Sequence, residues 1–263
     1  MPAALIALLL VLTASAAAAC GRDTDCPVPL GTYRIAMPEG PAKGAIVFFH
    51  GYRGSAAGVM RNGSLLKGAT ERGLAVVAPN GTDGRWSFPG APRERRDEVA
   101  FMRQVHDDLL ARFDLPADRV MVSGFSVGGT MSWHMACDLG ALFAGFAPIA
   151  GAYWEPLPER CPSGPPVLLH VHGTADKTVP MQGRPIGDRA HQGDVRQSIA
   201  TWRRQAGCEA QSRTQTQGRL TCERWTSCES GVIELCLHDG GHSIRSEWVL
   251  RAWDELSELK GWQ

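Results

Sequence analysis

The sequence predicts an α/β protein built on a mostly parallel central sheet with helices packed on both faces. Three features carry that expectation. Short, continuous apolar runs alternate with stretches of helical spacing. The runs lack the in-out alternation of a half-exposed strand, as expected for strands buried on both faces. One run, Val120–Val122, leads through Gly124-Phe125-Ser126-Val127-Gly128 into a helix-compatible stretch, Thr130–Ala136. That is strand, sharp turn and helix, with a serine at the bend.

The elements read in order as follows. Leu5–Leu12 is apolar but too short to cross a bilayer, and small residues follow it up to Ala19. Residues 1–19 are therefore predicted to be a signal peptide, and residues 20–263 a single domain of ordinary size for an α/β fold. Processing as a lipoprotein is the rival route and would place lipid on Cys20. Thr32–Met37 is an opening strand. Ala45–Phe49 is a buried strand that runs into His50-Gly51-Tyr52-Arg53-Gly54. Leu74–Ala78 is another, ended by Pro79. A Gly/Pro-rich loop passes through Trp86 to Pro92. Asp97 caps a helix over Glu98–Arg112, with Val99, Met102, Val105 and Leu109 at helical spacing. Beyond the serine turn come a strand at Gly145–Ala150, the loop Gly151–Trp154 and a strand at Val167–Val171. A helix follows over Asp194–Ala206. A hairpin then pairs Arg219–Trp225 with Val232–Leu237, and a closing helix covers Ser246–Leu259.

Charge excludes some functions. Lys and Arg number 27 and Asp and Glu also 27, and the basic residues are scattered. Nothing points to nucleic acid or to an anionic membrane surface. Eight cysteines behind an export signal read as disulfides. Cys20 and Cys26 can close a small loop. Cys137 ends the helix after the serine, and Cys161 lies in a loop beyond the next strand. Cys222 and Cys236 face each other across the hairpin, which leaves Cys208 and Cys228. No Cys-x-x-Cys pair occurs, so no metal is expected, and the sequence calls for no cofactor.

Strand ends select the chemistry, because parallel sheets place their sites at the carboxyl ends of strands. Ser126 needs a base to remove its proton. His242, in a Gly-Gly-His turn after the last strand, is the best placed of the eight histidines. His238 is its rival, closer to the strand, and His50 reads as a brace for the Gly51 loop. Asp176, just beyond Val167–Val171, supplies the acid that fixes the tautomer of the base. The chain order of serine, aspartate and histidine is that of the α/β-hydrolase fold. Two backbone donors for an oxyanion are expected from Val127 and Tyr52. Trp86, Tyr153 and Trp154 lie in loops at the same edge and could form an aromatic wall for substrate.

Several stretches together resemble the secreted esterase family that contains polyhydroxybutyrate depolymerase-like proteins and feruloyl esterases. They are Cys20 and Cys26 with Gly31–Ile35, Phe49-His50-Gly51, Asp97–Phe101, Val122–Gly129, His172–Asp176 and Gly240-Gly241-His242. The resemblance spans nearly all of residues 20–263. It implies a serine esterase whose nucleophile, acid and base fall on Ser126, Asp176 and His242. The expected function is a secreted serine carboxylesterase acting through an acyl-enzyme, feruloyl esterase-like on plant cell-wall xylan esters. Polyhydroxybutyrate depolymerase-like or short-chain acetyl ester hydrolysis is the first alternative. A non-catalytic secreted binding protein on a hydrolase scaffold is the second. The expected partner is an ester substrate, possibly polymer-linked, met by a monomer with no membrane span.

Overall fold

The computed structural model describes residues 20–163 and 167–262. The signal peptide expected over residues 1–19 lies outside them. In chain order the elements of the first half are β1 (Cys26–Val28), β2 (Gly31–Ala36), β3 (Gly44–Phe49), α1 (Ala56–Val59), α2 (Gly63–Thr70), β4 (Leu74–Pro79), α3 (Glu98–Phe113) and β5 (Val120–Phe125). They continue with α4 (Val127–Leu139), β6 (Gly145–Ile149), β7 (Val167–Gly173), β8 (Arg184–Ile186), β9 (Ala190–Gln192) and α5 (Val195–Gln205). The chain then closes with β10 (Arg213–Gln217), β11 (Leu220–Trp225), β12 (Val232–His238) and α6 (Ser246–Lys260).

Ten strands form one sheet in the order β1-β2-β4-β3-β5-β6-β7-β12-β11-β10. The six central strands, β4 through β12, run parallel, and the outer strands on each side are antiparallel. The continuous apolar runs follow from this position. In β3, Val47 and Phe49 enter one apolar layer, with Phe101 and Met102 of α3, Trp133 of α4 and Trp202 of α5. Ile46 and Phe48 point the other way, toward Leu65 of α2 and Trp248, Val249 and Trp253 of α6. Alternate residues thus serve opposite layers, and both layers are apolar.

The helix starts are chemically marked. Asp97 accepts from Ala100 N–H at 2.9 Å, and Asp194 accepts from Gln197 N–H at 2.8 Å. Each satisfies a donor that the first turn would otherwise leave orphaned. The four disulfides join Cys20–Cys26, Cys137–Cys161, Cys208–Cys228 and Cys222–Cys236, the pairs anticipated from the sequence. Cys222 and Cys236 stand directly opposite in the β11–β12 register.

Some boundaries differ from expectation. The helix after Ser126 begins at Val127, not near Thr130. Gly128 and Gly129 lower helix propensity in that first turn, and packing overrides it. The strands β8, β9 and β10 were not anticipated. Two of them are three residues long, and all five residues of β10 are exposed, so neither carries an apolar pattern.

Candidate active site

Because the central strands are parallel, their carboxyl ends share one edge. The chain reaches Tyr52 after β3, Ser126 after β5, Asp176 after β7 and His242 after β12. Topology alone therefore gathers these four residues.

Ser126 has φ 60° and ψ −121°, a region that an L-residue occupies only when its surroundings hold it there. Its N–H donates to Ile149 O at 3.0 Å, and its carbonyl accepts from Thr130 N–H at 2.9 Å. The flanking glycines are steric requirements. A Cβ on Gly124 would lie 2.3 Å from Gly128 O, and one on Gly128 would lie 2.1 Å from Phe49 O. Strand, helix and the neighbouring strand meet here with no room for a methyl group.

The side chain of Asp176 is fully buried. Its Oδ1 accepts the N–H groups of Thr178 at 2.8 Å and Val179 at 2.9 Å, and its Oδ2 accepts from His242 Nδ1–H at 2.7 Å. Burial alone pushes the carboxyl up. The His242 hydrogen bond and the two amides outweigh it and hold the group below its ordinary range. With Nδ1–H committed to Asp176, the free lone pair of His242 is on Nε2. The imidazole lies 4.7 Å from the Phe125 ring, immediately beside Ser126. Among the described residues no hydrogen bond joins the Ser126 hydroxyl to His242. Such pairs commonly close only around bound substrate.

The loop after β3 passes close to the serine, since a Cβ on Gly51 would sit 3.7 Å from Ser126 Cβ. His50 braces it. Nδ1–H donates to Gly51 O at 2.8 Å, Nε2 accepts from Gly81 N–H at 3.1 Å, and Trp86 Nε1–H donates to His50 O at 2.9 Å. Burial lowers the pKa of this imidazole and keeps it neutral, as both bonds require. Among the described residues the N–H groups of Tyr52 and Val127 have no acceptor. Both are left free at the serine's edge of the sheet.

The rival base is turned elsewhere. His238 packs against Trp248 with ring centres 4.7 Å apart and planes tilted by 33°, and its Nδ1 accepts from Gly240 N–H at 3.0 Å. His170 and His172 are buried in β7 and bonded to each other at 3.0 Å. Cys222, Glu234 and Cys236 bring three potential ligand atoms within 4.8 Å of one another. The two sulfurs form a disulfide, however, and Glu234 is held by Arg224 and Arg251, so the donors are already used.

Ser126 and Val127 open onto a cleft of about 600 Å³. Trp86, Phe88 and Trp154 line it, while Tyr52 stands at the mouth with 55% of its surface exposed. Tyr153 is a correction. It is wholly buried, its hydroxyl donating to Trp133 O at 3.0 Å and accepting from Trp202 Nε1–H at 3.1 Å. Its neighbour Trp154 takes the wall position instead. Sequence reasoning also missed Phe88, Arg184 and Gln192. Gln192 is buried on β9, and its Oε1 has no partner among the described residues. Its polar, irregular surroundings in sequence gave no signal.

No protein-family model matches the chain. It is 29% identical over 231 residues to NocK of Nocardia uniformis subsp. tsuyamanensis, which carries an esterase name, covering 79% of this chain and 67% of NocK. It is 26% identical over 230 residues to feruloyl esterase B of Piromyces equi, covering 81% of this chain and 42% of that protein. Other homologues are named acetylxylan esterase and poly(3-hydroxyalkanoate) depolymerase. The chain thus spans less than half the length of some relatives it matches. Among solved structures, the acetyl xylan esterase from Aspergillus awamori aligns with a TM-score of 0.63 at 15% identity, covering 85% of this chain and 93% of that one. The fold is that of the α/β-hydrolases, and the sequence relatives carry esterase names. In this chain the α/β-hydrolase sheet is accompanied by four disulfides.

Proposed function

We propose that this protein is a serine carboxylesterase, feruloyl esterase-like, acting on ester groups of plant cell-wall xylan. Ser126 is the nucleophile, His242 the base and Asp176 the acid. The observation that carries the reading is the 2.7 Å bond from His242 to a buried, depressed carboxylate at the edge where a strained serine projects.

In the proposed reaction His242 Nε2 takes the Ser126 Oγ proton as Oγ attacks the ester carbonyl carbon. The Tyr52 and Val127 N–H groups receive the oxyanion, and losing either costs roughly 3–4 kcal/mol of barrier. Collapse breaks the ester C–O bond, and the proton on His242 passes to the departing alcohol. Water then attacks the acyl-enzyme by the same route, releasing the acid and restoring Ser126. Trp86 and Trp154 offer apolar faces to an aryl-acyl group, which favours feruloyl over acetyl esters. Acetylated xylan is the second reading, favoured by the homologue named acetylxylan esterase/xylanase of Neocallimastix patriciarum.

The catalytic domain in this proposal is the span 20–263, exported as a monomer behind the 1–19 segment. Export is supported by four disulfides, which persist in oxidising compartments. No helix among the described residues is long and apolar enough to cross a membrane. Cys20 Sγ is bonded to Cys26, which leaves it no thiol for lipid.

A fluorophosphonate probe followed by peptide mapping tests the nucleophile: the adduct is expected on Ser126 and absent in Ser126→Ala. Folded protein that stays unlabelled ends the enzyme reading. Rates on methyl ferulate, para-nitrophenyl acetate, acetylated xylan and polyhydroxybutyrate test the substrate. Ferulate turned over no faster than acetate would reverse the order of the two readings.

A further inference from the structure

The cleft at Ser126 has a charge pattern that ester hydrolysis itself does not need. Arg85, Arg93, Arg95 and Arg184 line it, and among the described residues no Asp or Glu does. The chain as a whole is balanced, 27 basic against 27 acidic residues, so the one-sided lining is local. Among the described residues Arg95 alone of the four has an ion-pair partner, Asp83, whose charge also reaches Arg85. Arg184 Nε–H donates to Thr178 O at 2.8 Å, a neutral partner that orients the guanidinium without cancelling its charge. Arg85 Nη2–H donates to the Tyr52 hydroxyl at 3.1 Å, again a neutral partner. Arg53 adds a further cation, 5.3 Å from the centre of the Tyr52 ring. Arg93 is exposed and has no ion-pair partner among the described residues.

Like charges gathered without counter-ions repel each other, and a low-dielectric aromatic wall strengthens their field. The same arrangement attracts an anion. A guanidinium fork fits a carboxylate in two-point geometry and suits a partly buried site better than an ammonium would. The aromatic faces of Trp86 and Trp154 can hold the body of a substrate while its charged end reaches the arginines.

We propose that the cleft selects an anionic ester, one bearing a carboxylate that is held by Arg93 and Arg184 within the field of Arg85. This deepens the esterase reading and rests on Ser126 being the nucleophile. The carboxylate could sit on the acid portion or on the alcohol portion of the ester. The two sources share one recognition chemistry and are separable by substrate design.

Two matched pairs make the test. For the acid side, para-nitrophenyl hydrogen glutarate is compared with para-nitrophenyl valerate. For the alcohol side, para-butyryloxybenzoate is compared with its methyl ester. At low salt, at least one anionic member is expected to exceed its neutral partner in kcat/KM by about tenfold, the size of a charge-assisted hydrogen bond. The preference should shrink toward unity at about 1 M salt, where the Debye length is about 3 Å. In the double variant Arg93→Gln/Arg184→Gln the anionic-to-neutral ratio should fall by about the same tenfold factor. Arg103→Gln, on the exposed face of α3, should not move the ratio. Neutral members that match or beat their anionic partners in both pairs overturn the proposal, and so does a ratio that the double variant leaves unchanged. The wild-type comparison and its salt dependence decide the matter even where the double variant fails to fold. Neutral esters cleaved without anionic preference defeat this inference alone. Failure to cleave any ester, with Ser126 unlabelled by fluorophosphonate, defeats the esterase reading and this inference with it.

Discussion

Asp176→Asn separates the acid's chemistry from its place in the fold. Asp176 accepts three hydrogen bonds, two from the backbone at 2.8 and 2.9 Å and one from His242 at 2.7 Å. Asparagine has one acceptor oxygen and an amino group that only donates. If the oxygen keeps the Thr178 and Val179 amides, the amino group faces His242 Nδ1. That nitrogen must then accept, so the ring proton moves to Nε2, the atom required to take the proton of Ser126. The backbone loop survives and the base is disabled. A loss in kcat of about 10⁴ is expected, the size of the tautomer effect in serine-triad enzymes generally. Ester hydrolysis by the purified variant measures it, with circular dichroism and thermal melting as controls on folding. A folded variant that loses less than about tenfold refutes the assigned role, because a merely structural carboxylate has no reason to set the tautomer. The same carboxyl gives a pH signature. Its pKa is depressed in the folded chain, so its stabilisation is fully present above the unfolded value of about 3.9. That stabilisation is lost as the pH falls through the folded value. Below about pH 4 the variant's melting temperature should therefore fall less steeply than that of the wild type.

Three other substitutions probe the supports of the site. Gly128→Ala puts a methyl 2.1 Å from Phe49 O and 2.7 Å from His50 O, both backbone atoms that cannot swing aside. Overpacking of this kind costs about 1–3 kcal/mol or more, and fluorophosphonate labelling of Ser126 should slow even in the soluble fraction. Labelling at the wild-type rate would show that the elbow is looser than its geometry implies. Replacing Cys137 and Cys161 by alanine opens a link with a sequence separation of 24. Chain entropy puts the loss at about 3 kcal/mol, roughly 5–10 °C in melting temperature, measurable by calorimetry. Tyr153→Phe strips the hydroxyl shared by Trp133 O and Trp202 Nε1 and leaves a buried donor unpaired. Stability should drop by about 1–3 kcal/mol while KM stays near wild type, whereas a raised KM would return Tyr153 to the cleft.

The parts of this molecule that could be read in advance are those where one local rule dominates. The strands β3 and β4 are buried along their whole length, so their residues are apolar and the runs are visible, and β5 opens with the same kind of run over Val120–Val122. Asp97 and Asp194 mark helix starts because a cap is a local bond, three residues long. The parallel topology then converts sequence positions just after strands into neighbours in space. That is why Asp176 and His242, 66 residues apart, could be paired before any coordinates. The disulfide across β11 and β12 was legible for the same reason, since hairpin register is local.

What escaped was set by partners far away in the chain. Tyr153 and Trp154 are adjacent in sequence and both aromatic, yet one is core and the other cleft wall. The choice was made by Trp133 O and Trp202 Nε1–H, which claim the Tyr153 hydroxyl inside the molecule, and by Gln192, which bridges to Trp154 at the rim. Gln192 and Arg184 occupy strands only three residues long, too short to show any period. This division bears on function. The groups proposed for bond breaking come from strand ends that the fold dictates. The groups that would choose the ester come from loops and short hairpins, where Arg93, Arg184 and Gln192 can change without disturbing the sheet. Reaction type is therefore written in the part of the sequence that is easiest to read. Substrate choice is written where only the folded chain brings the letters together.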